Sequence, residues 1–350
     1  MDFKIDKREI GKNQPVFIIA ELSANHLGDF DLAVETIKAM KESGADAVKM
    51  QTYTPDTLTM NCNNDYFKIK QDTLWDGSTF YQLYKNSYMP WEWQPKLKKI
   101  AEKLGLIAFS SPFDKTSVDF LEDMDMPAYK IASFEITDIP LIEYIASTGK
   151  PVIISTGIAG LCDIELAVKT CKKEGNEQIS LLKCTSSYPA PLEEINLNTI
   201  PNLKQTFNTV VGLSDHTLGN SVSIASVALG AKIIEKHFIL DRTLGGPDAE
   251  FSLEPEEFKN MVESIREVEK ALGKVSYELT GKTKSNKDFS RSLFVVKDMK
   301  NGEKFTENNV KSIRPGFGLH PKYLNCILGK KAIRDISKGT PLKWNLLANY

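Results

Sequence analysis

VVGLSDH (210–216) and KIIEKHF (232–238) are two short apolar runs, each carrying a histidine at its end. Both read as buried parallel strands with polar tips. The chain has only four histidines in 350 residues, and two of them, His216 and His237, stand at the tips of successive strand-like runs. A strand that ends in a ligand-capable side chain is what an α/β barrel presents at its catalytic face. The pair therefore predicts a bound divalent cation, and so an enzyme.

Six more runs of the same kind precede these two: VFIIAEL (16–22), DAVKMQT (46–52), LIAFSSP (106–112), AYKIAS (128–133), PVIISTG (151–157) and ISLLKCT (179–185). Amphipathic helical stretches lie between them, among them DLAVETIKAMKESG, WEWQPKLKKIAEKLG, DIPLIEYIASTG and SVSIASVALG, each closed by the glycine that a helix C-terminus favours. PEEFKNMVESIREVEKALG, with proline in its first turn, supplies a closing eighth helix. Strict β/α alternation over about 270 residues predicts a (β/α)8 TIM barrel. An open doubly wound sheet is the alternative, but no glycine-rich phosphate loop follows the first strand.

The alternation is interrupted once, at 53–90, by an aromatic and polar insertion. Insertions of this size beyond a strand's C-terminal end commonly shape a pocket or lid. Tyr53, Tyr66, Phe67, Trp75, Phe80 and Tyr81 offer it apolar walls. The barrel is expected over 1–272, followed by a polar, lysine-rich linker at 273–290. A small β-rich domain over 291–350, with Asn-Gly and Lys-Gly turn signals, completes the chain. Such a small core is marginal alone and is expected to dock on a barrel.

Net charge is −2, with 41% hydrophobic and 26% charged residues, which gives no sign of a nucleic-acid partner. The charged start lacks the apolar core of a signal peptide, and no run approaches membrane-spanning length. The five cysteines (Cys62, Cys162, Cys171, Cys184, Cys326) show no paired spacing. Together these features predict a cytoplasmic protein with reduced thiols and no membrane partner.

In a barrel the strand tips must be considered together. They supply Glu21, Asn25 and His26; Lys49 and Gln51; Ser110 and Ser111; Lys130 and Ser133; Ser155 and Thr156; Lys183, Thr185, Ser186 and Tyr188; Ser214, Asp215 and His216; Glu235, Lys236 and His237. Lysines beside several hydroxyls suit a phosphate or carboxylate. Two histidines near carboxylates suit a cation that keeps open positions. Imidazole alone fits zinc or iron as well as manganese; with no third histidine or cysteine expected at these tips, an exchangeable, partly hydrated ion is favoured. A Schiff-base lysine at 49 or 130 is the rival chemistry.

The motifs FIIAELSANH (17–26), GADAVKMQTYTPDT (44–57), FSSPFD (109–114), YKIASFEI (129–136), STG (155–157), LLKCTSSYPAP (181–191), GLSDHT (212–217) and EKHFILDRTLGGPDAEFSL (235–253) resemble the sialic acid synthase family. RPGFGLHP (314–321) is similar to the antifreeze-like (SAF) module that ends such synthases. ELSANH, QTYTPDTLT, LWDGSTFYQLY and PWEW look most like the pseudaminic acid branch, with the N-acetylneuraminate and legionaminate branches, which use other amino sugars, as the alternative.

The resemblance implies a metal-dependent condensation of phosphoenolpyruvate with an amino sugar, releasing phosphate and giving a nine-carbon 2-keto acid for flagellin or surface-polysaccharide glycosylation. It implies that Lys49, Ser111, Lys130, Ser133, Ser155, Ser186 and Ser214 hold phosphoenolpyruvate. His216 and His237 would bind Mn2+ or Mg2+, with Glu21 handling protons and Gln51, Tyr188, Glu235 and Asp248 meeting the sugar. Ser186 departs from the asparagine usual in the N-acetylneuraminate branch. The resemblance further implies a homodimer in which the small domain caps the partner's barrel and brings Arg314 to the sugar's acetamido group. A 3-deoxy-keto-acid synthase, a lysine-dependent aldolase and a non-catalytic ice- or glycan-binding protein remain as rivals.

Overall fold

The computed structural model describes residues 2–70 and 76–348, and the chain divides between Gly273 and Lys274 into two compact units. The first opens with a hairpin, β1 (Phe3–Ile5) and β2 (Arg8–Ile10). Eight parallel strands follow: β3 (Phe17–Glu21), β4 (Ala47–Thr52), β5 (Ile107–Pro112), β6 (Tyr129–Ile131), β7 (Val152–Ser155), β8 (Ile179–Cys184), β9 (Val210–Asp215) and β10 (Ile233–His237). They pair in sequence order, and β10 pairs with β3, so the sheet closes and the open alternative is excluded. The helices are α1 (Phe30–Glu42), α2 (Pro55–Leu58), α3 (Phe80–Ser87), α4 (Gln94–Lys103), α5 (Lys115–Asp123), α6 (Ile139–Ser147), α7 (Leu161–Lys173), α8 (Thr199–Phe207), α9 (Ser221–Ala228) and α10 (Pro255–Leu272).

Period-two alternation sorts each strand into two faces. Val48 and Met50, Tyr129 and Ile131, Leu181 and Leu213 face the helices in the large outer core. At the N-terminal ends of the strands the inner face is apolar. Phe17, Ile19, Phe109, Ile153, Leu182 and Ile233 pack there against Phe3, Ile5 and Ile10 of the hairpin. Two residues further along each strand, the same face turns polar, with Glu21, Lys49, Ser111, Lys130, Ser155, Ser214, Glu235 and, two beyond it, His237 all buried. The site thus sits on an apolar floor.

Asp29 caps α1 through the backbone N–H groups of Asp31 and Leu32, and Asp114 caps α5. Gly212 allows β9 and β10 to approach, because a Cβ there would lie 2.3 Å from the Ile233 carbonyl oxygen.

Within the insertion, Tyr53 is buried edge-on against Tyr84 and Phe113, and Phe80 stacks on Tyr84. Tyr66 is exposed, Phe67 and Tyr81 are half-buried, and Trp75 lies outside the described residues. Among the described members of the predicted set only Tyr53 is buried, and Tyr84, which was not in it, packs against both Tyr53 and Phe80.

The second unit holds α11 (Gly281–Ser285), the antiparallel pair β11 (Ser292–Val295) and β12 (Val310–Ile313), and α12 (Leu324–Ile327). Its own apolar core includes Leu293, Phe305, Ile327 and Leu342. Gly302 and Gly339, from the Asn-Gly and Lys-Gly pairs, take positive φ as those turns require. The stretch anticipated as a bare linker contains α11, though every residue from 273 to 290 is exposed.

Candidate active site

Two buried lysines and two buried carboxylates occupy the centre of the polar layer. Lys49 Nζ lies 2.9 Å from Glu21 Oε2 and 3.4 Å from Glu235 Oε1, and donates to Ser111 Oγ at 3.3 Å. Lys130 Nζ donates to Ser155 Oγ at 2.7 Å and lies 3.8 Å from Glu235 Oε1. Ser214 donates to Glu235 Oε1 at 3.1 Å. Gln51 Nε2 bridges Glu21 Oε1 (3.1 Å) and Ser23 Oγ (3.0 Å). Ser133 and Ser186 share a 2.6 Å hydrogen bond.

Burial drives the proton affinities of this cluster apart. It pushes the Glu21 carboxyl up to about 7, with Glu235 adding to the rise against the pull of Lys49. Burial also opposes charge on Glu235, but Lys130 and Lys49 outweigh it and hold that carboxyl below its ordinary value. Lys130 is pushed down by burial. Lys49 is held up by its two carboxylates against the same burial. One carboxylic acid able to carry a proton near neutrality therefore stands beside one that stays ionised.

His216 and His237 converge, with ring centroids 5.3 Å apart. Phe251 packs edge-on to both, and Tyr188 lies 4.6 Å from the His216 ring. His216 Nδ1 faces the Thr185 carbonyl oxygen at 3.1 Å; donation there leaves Nε2 with the free lone pair. His237 Nδ1 is buried without a hydrogen-bond partner, and Asp248 Oδ2, at 3.8 Å, lies beyond hydrogen-bond reach. Burial, reinforced by His216 and the nearby lysines, drives His237 well below its usual pKa and keeps it neutral, as a ligand must be. Among the described residues no group of three His, Cys, Asp or Glu side chains is arranged to hold a metal. The donors fit a cation carried by two imidazoles with its other positions open, not a closed structural site.

The predicted tips do not all join this layer. Asn25 donates to the Phe238 carbonyl and to Ser252, and His26 packs edge-on to Trp93 and accepts from Gly28 N–H. Ser110 shares a hydrogen bond with Thr52, on the outer side of the wall. Lys183 donates to the Cys184 carbonyl and to Thr185. Arg314 belongs to the second unit, where it is exposed.

One expectation is corrected. A cysteine does stand at these tips: Cys184 Sγ is 3.9 Å from His216 Nδ1 and 3.8 Å from Ser186 Oγ. Burial alone would lower the His216 pKa, but Cys184, the Thr185 carbonyl and Asp215 together outweigh it and raise that pKa.

Three further residues were missed. Glu135, in YKIASFEI, has a buried Oε2 without a hydrogen-bond partner, and burial lifts its pKa to about 7 against the pull of Lys130. Phe251 walls the histidines. At Gly157, of the STG motif, a Cβ would fall 2.1 Å from Ser186 Oγ and 2.4 Å from Ser133 Oγ. Glu135 had a signal, since an acid two residues beyond Ser133 lies in the same strand-tip loop.

Comparison with known proteins matches a family model to each of the two units. The NeuB family matches residues 36–277 and the SAF domain matches residues 290–348. The pseudaminic acid synthase of Campylobacter jejuni subsp. jejuni serotype O:2 is 48% identical over 98% of this chain and 97% of its own. The pseudaminic acid synthase of Helicobacter pylori is also 48% identical, over 94% of this chain and 97% of its own. Among solved structures, the N-acetylneuraminic acid synthetase of Leptospira borgpetersenii superimposes with a TM-score of 0.74 at 34% identity, covering 82% of this chain and 95% of the other.

Proposed function

The chain belongs to the NeuB family and is an enzyme of the sialic acid synthase class, and from that premise we propose that it condenses phosphoenolpyruvate with 2,4-diacetamido-2,4,6-trideoxy-L-altrose to give pseudaminic acid and phosphate. The branch rests on the 48% identity to two pseudaminic acid synthases. The chemistry rests on one observation above all: Lys49 and Lys130 stand buried among Ser111, Ser155 and Glu235, below two converging imidazoles.

Phosphoenolpyruvate carries its charge on a phosphate and a carboxylate. Lys49 and Lys130 neutralise these in a water-poor site, where such interactions are strongest, and Ser111, Ser133, Ser155, Ser186 and Ser214 supply directional donors. Gln51, Tyr188, Glu235 and Asp248 orient the open-chain sugar so that its aldehyde carbon lies against C3 of phosphoenolpyruvate. C3 attacks that carbon, and Glu135, able to hold a proton near pH 7, delivers it to the aldehyde oxygen. Positive charge develops at C2. Glu21 takes a proton from the water that adds there, giving a tetrahedral hemiketal phosphate. The C2–O bond to phosphate then breaks as the hemiketal hydroxyl gives up its proton to the departing phosphate, which leaves the 2-keto acid. A divalent cation, Mn2+ or Mg2+, held by His216 and His237, would polarise the sugar's carbonyl. Holding two substrates in register supplies several further kcal/mol, on the order of the effective molarities of oriented reactions.

The assembly we propose is a homodimer in which the second unit caps the partner's barrel and Arg314 meets the sugar. Leu27, Phe134, Ile158, Leu192, Leu218 and Leu244, one in each of six loops beyond barrel strands, are exposed and offer a cap an apolar rim. Among the described residues no helix is long and apolar enough to cross a membrane, and all five cysteines are free; the location we propose is the cytoplasm, where phosphoenolpyruvate is made.

Mass spectrometry of products formed from phosphoenolpyruvate and a panel of amino sugars tests the reading. The diacetamido-trideoxy-altrose is expected to be consumed with phosphate release. Equal turnover of N-acetylmannosamine removes the branch assignment, and borohydride trapping of a lysine adduct replaces the mechanism with an aldolase one.

A further inference from the structure

We propose that the buried Asp215–Lys236 ion pair is a positioning clamp that sets the approach of His216 to His237, and through it the affinity for a divalent cation; this rests on the reading of those histidines as cation ligands. Each member immediately precedes one of the two histidines. Their side chains are both fully buried, and Lys236 Nζ lies 3.0 Å from Asp215 Oδ2. The two residues face each other in the β9–β10 register.

Alternation decides their direction. Ser214 and Glu235, paired on neighbouring strands, touch on the inner face, so Asp215 and Lys236 point out of the barrel, and the next residues, the histidines, point back in. Neither member of the pair is placed to meet substrate. Asp215 Oδ1 accepts from the Thr217 N–H (2.9 Å) and hydroxyl (2.8 Å), and Oδ2 accepts from Ser223 of α9 (2.6 Å). Lys236 also donates to the Thr217 carbonyl. The turn carrying His216 is thus bound to the strand carrying His237 by directional bonds on the far side of the wall.

Stability alone does not account for such a pair. A packed apolar pair of similar volume commonly serves as well or better than a buried ion pair. What an apolar pair lacks is the direction to hold two neighbouring strand ends at one spacing. Outer partners that orient metal-binding histidines usually govern affinity in this way.

The test is a titration of the full-length protein with Mn2+, followed by the electron paramagnetic resonance of the free ion, alongside thermal unfolding. Asp215→Asn/Lys236→Met removes both charges and keeps the acceptor for Thr217. A folded double variant is expected to bind Mn2+ roughly 10- to 100-fold more weakly. Arg266→Met, which breaks an ion pair with Asp46 away from the histidines, should leave that affinity unchanged. If the double variant does not fold, Ser223→Ala decides by the same titration: a several-fold loss supports the clamp, and unaltered affinity overturns it. Wild-type affinity in the folded double variant also overturns it. Absence of Mn2+ binding by the wild-type protein sinks the cation reading and the clamp with it, whereas unaltered variants of a cation-binding protein sink the clamp alone.

Discussion

Gly157 is held in place by what surrounds it. Its φ is not in the left-handed region, so alanine is acceptable to the backbone, but the added carbon would strike both Ser133 and Ser186. Gly157→Ala should therefore push the two hydroxyls apart, at an overpacking cost of about 1–3 kcal/mol in stability. If those serines hold phosphoenolpyruvate, kcat/KM for that substrate should fall roughly 10- to 100-fold, as small misplacements do. Steady-state kinetics with phosphoenolpyruvate varied checks this, and an unchanged kcat/KM removes both serines from the site. Glu135 gives a second residue-scale test. Its carboxyl, raised by burial from 4.5 to about 7, faces Lys130 and Lys49, which favour its charge, and Asp138, which opposes it. Tyr84 and Tyr188 lie within its electrostatic reach. The folded state binds this proton more tightly than the unfolded state, so the group's contribution is fully present below about 4.5 and is lost as pH rises through about 7. The loss is at most about 3 kcal/mol. Glu135→Gln should lack it, so urea unfolding at pH 5 and pH 8 should show the variant gaining on wild type at the higher pH. A constant difference between the two proteins at both pH values refutes the raised pKa. Sequence revealed the ionisable residues at the strand ends, because a polar tip on an apolar run is a local pattern. Cys184 and Gly157 were harder to assign, since their roles depend on what three separate strands place beside them.

At the scale of elements, all eight barrel strands were legible, because a run buried on both faces is continuously apolar and ends at a marked turn. Several helices were equally plain from periodicity and the glycines after them. The N-terminal hairpin was not singled out. Phe3, Ile5 and Ile10 are spread through a charged stretch, and their alternation is too short to stand out. Yet all three are buried against the apolar floor. Each such side chain contributes about 1.5–3 kcal/mol by leaving water. Ile5→Ala should cost about 2–5 kcal/mol of stability in urea unfolding, the usual range for a buried isoleucine cut to alanine. The hairpin packs at the end of the barrel opposite the polar layer, so kcat/KM of the folded variant should stay at the wild-type value. A matching loss of activity in the folded variant contradicts the separation of floor from site.

For the whole molecule, a core as small as that of the second unit is marginal by itself. Its Arg314 is exposed, while the barrel's strand-end loops expose one large apolar side chain each in six places. Both features are explained if the second unit of one protomer covers the barrel of its partner. The chemistry gains by it, since a cap excludes water from a site that depends on charge neutralisation. This arrangement makes a prediction that a self-contained protomer does not. On this arrangement His237→Ala would remove a barrel function and Arg314→Ala a cap function. Each homodimer should then be inactive or severely impaired. Co-expressed, the two variants form mixed dimers in which the Arg314→Ala barrel keeps its histidines and receives Arg314 from the other chain. One of the two sites in each mixed dimer is whole, so purified mixtures should recover up to roughly a quarter of wild-type activity under random pairing. If Arg314 serves its own chain's barrel, every site in every pairing carries one lesion, and co-expression recovers nothing. Size-exclusion chromatography confirms that the mixtures are dimeric, and differently tagged chains isolate the mixed species, whose activity per site then distinguishes the two arrangements.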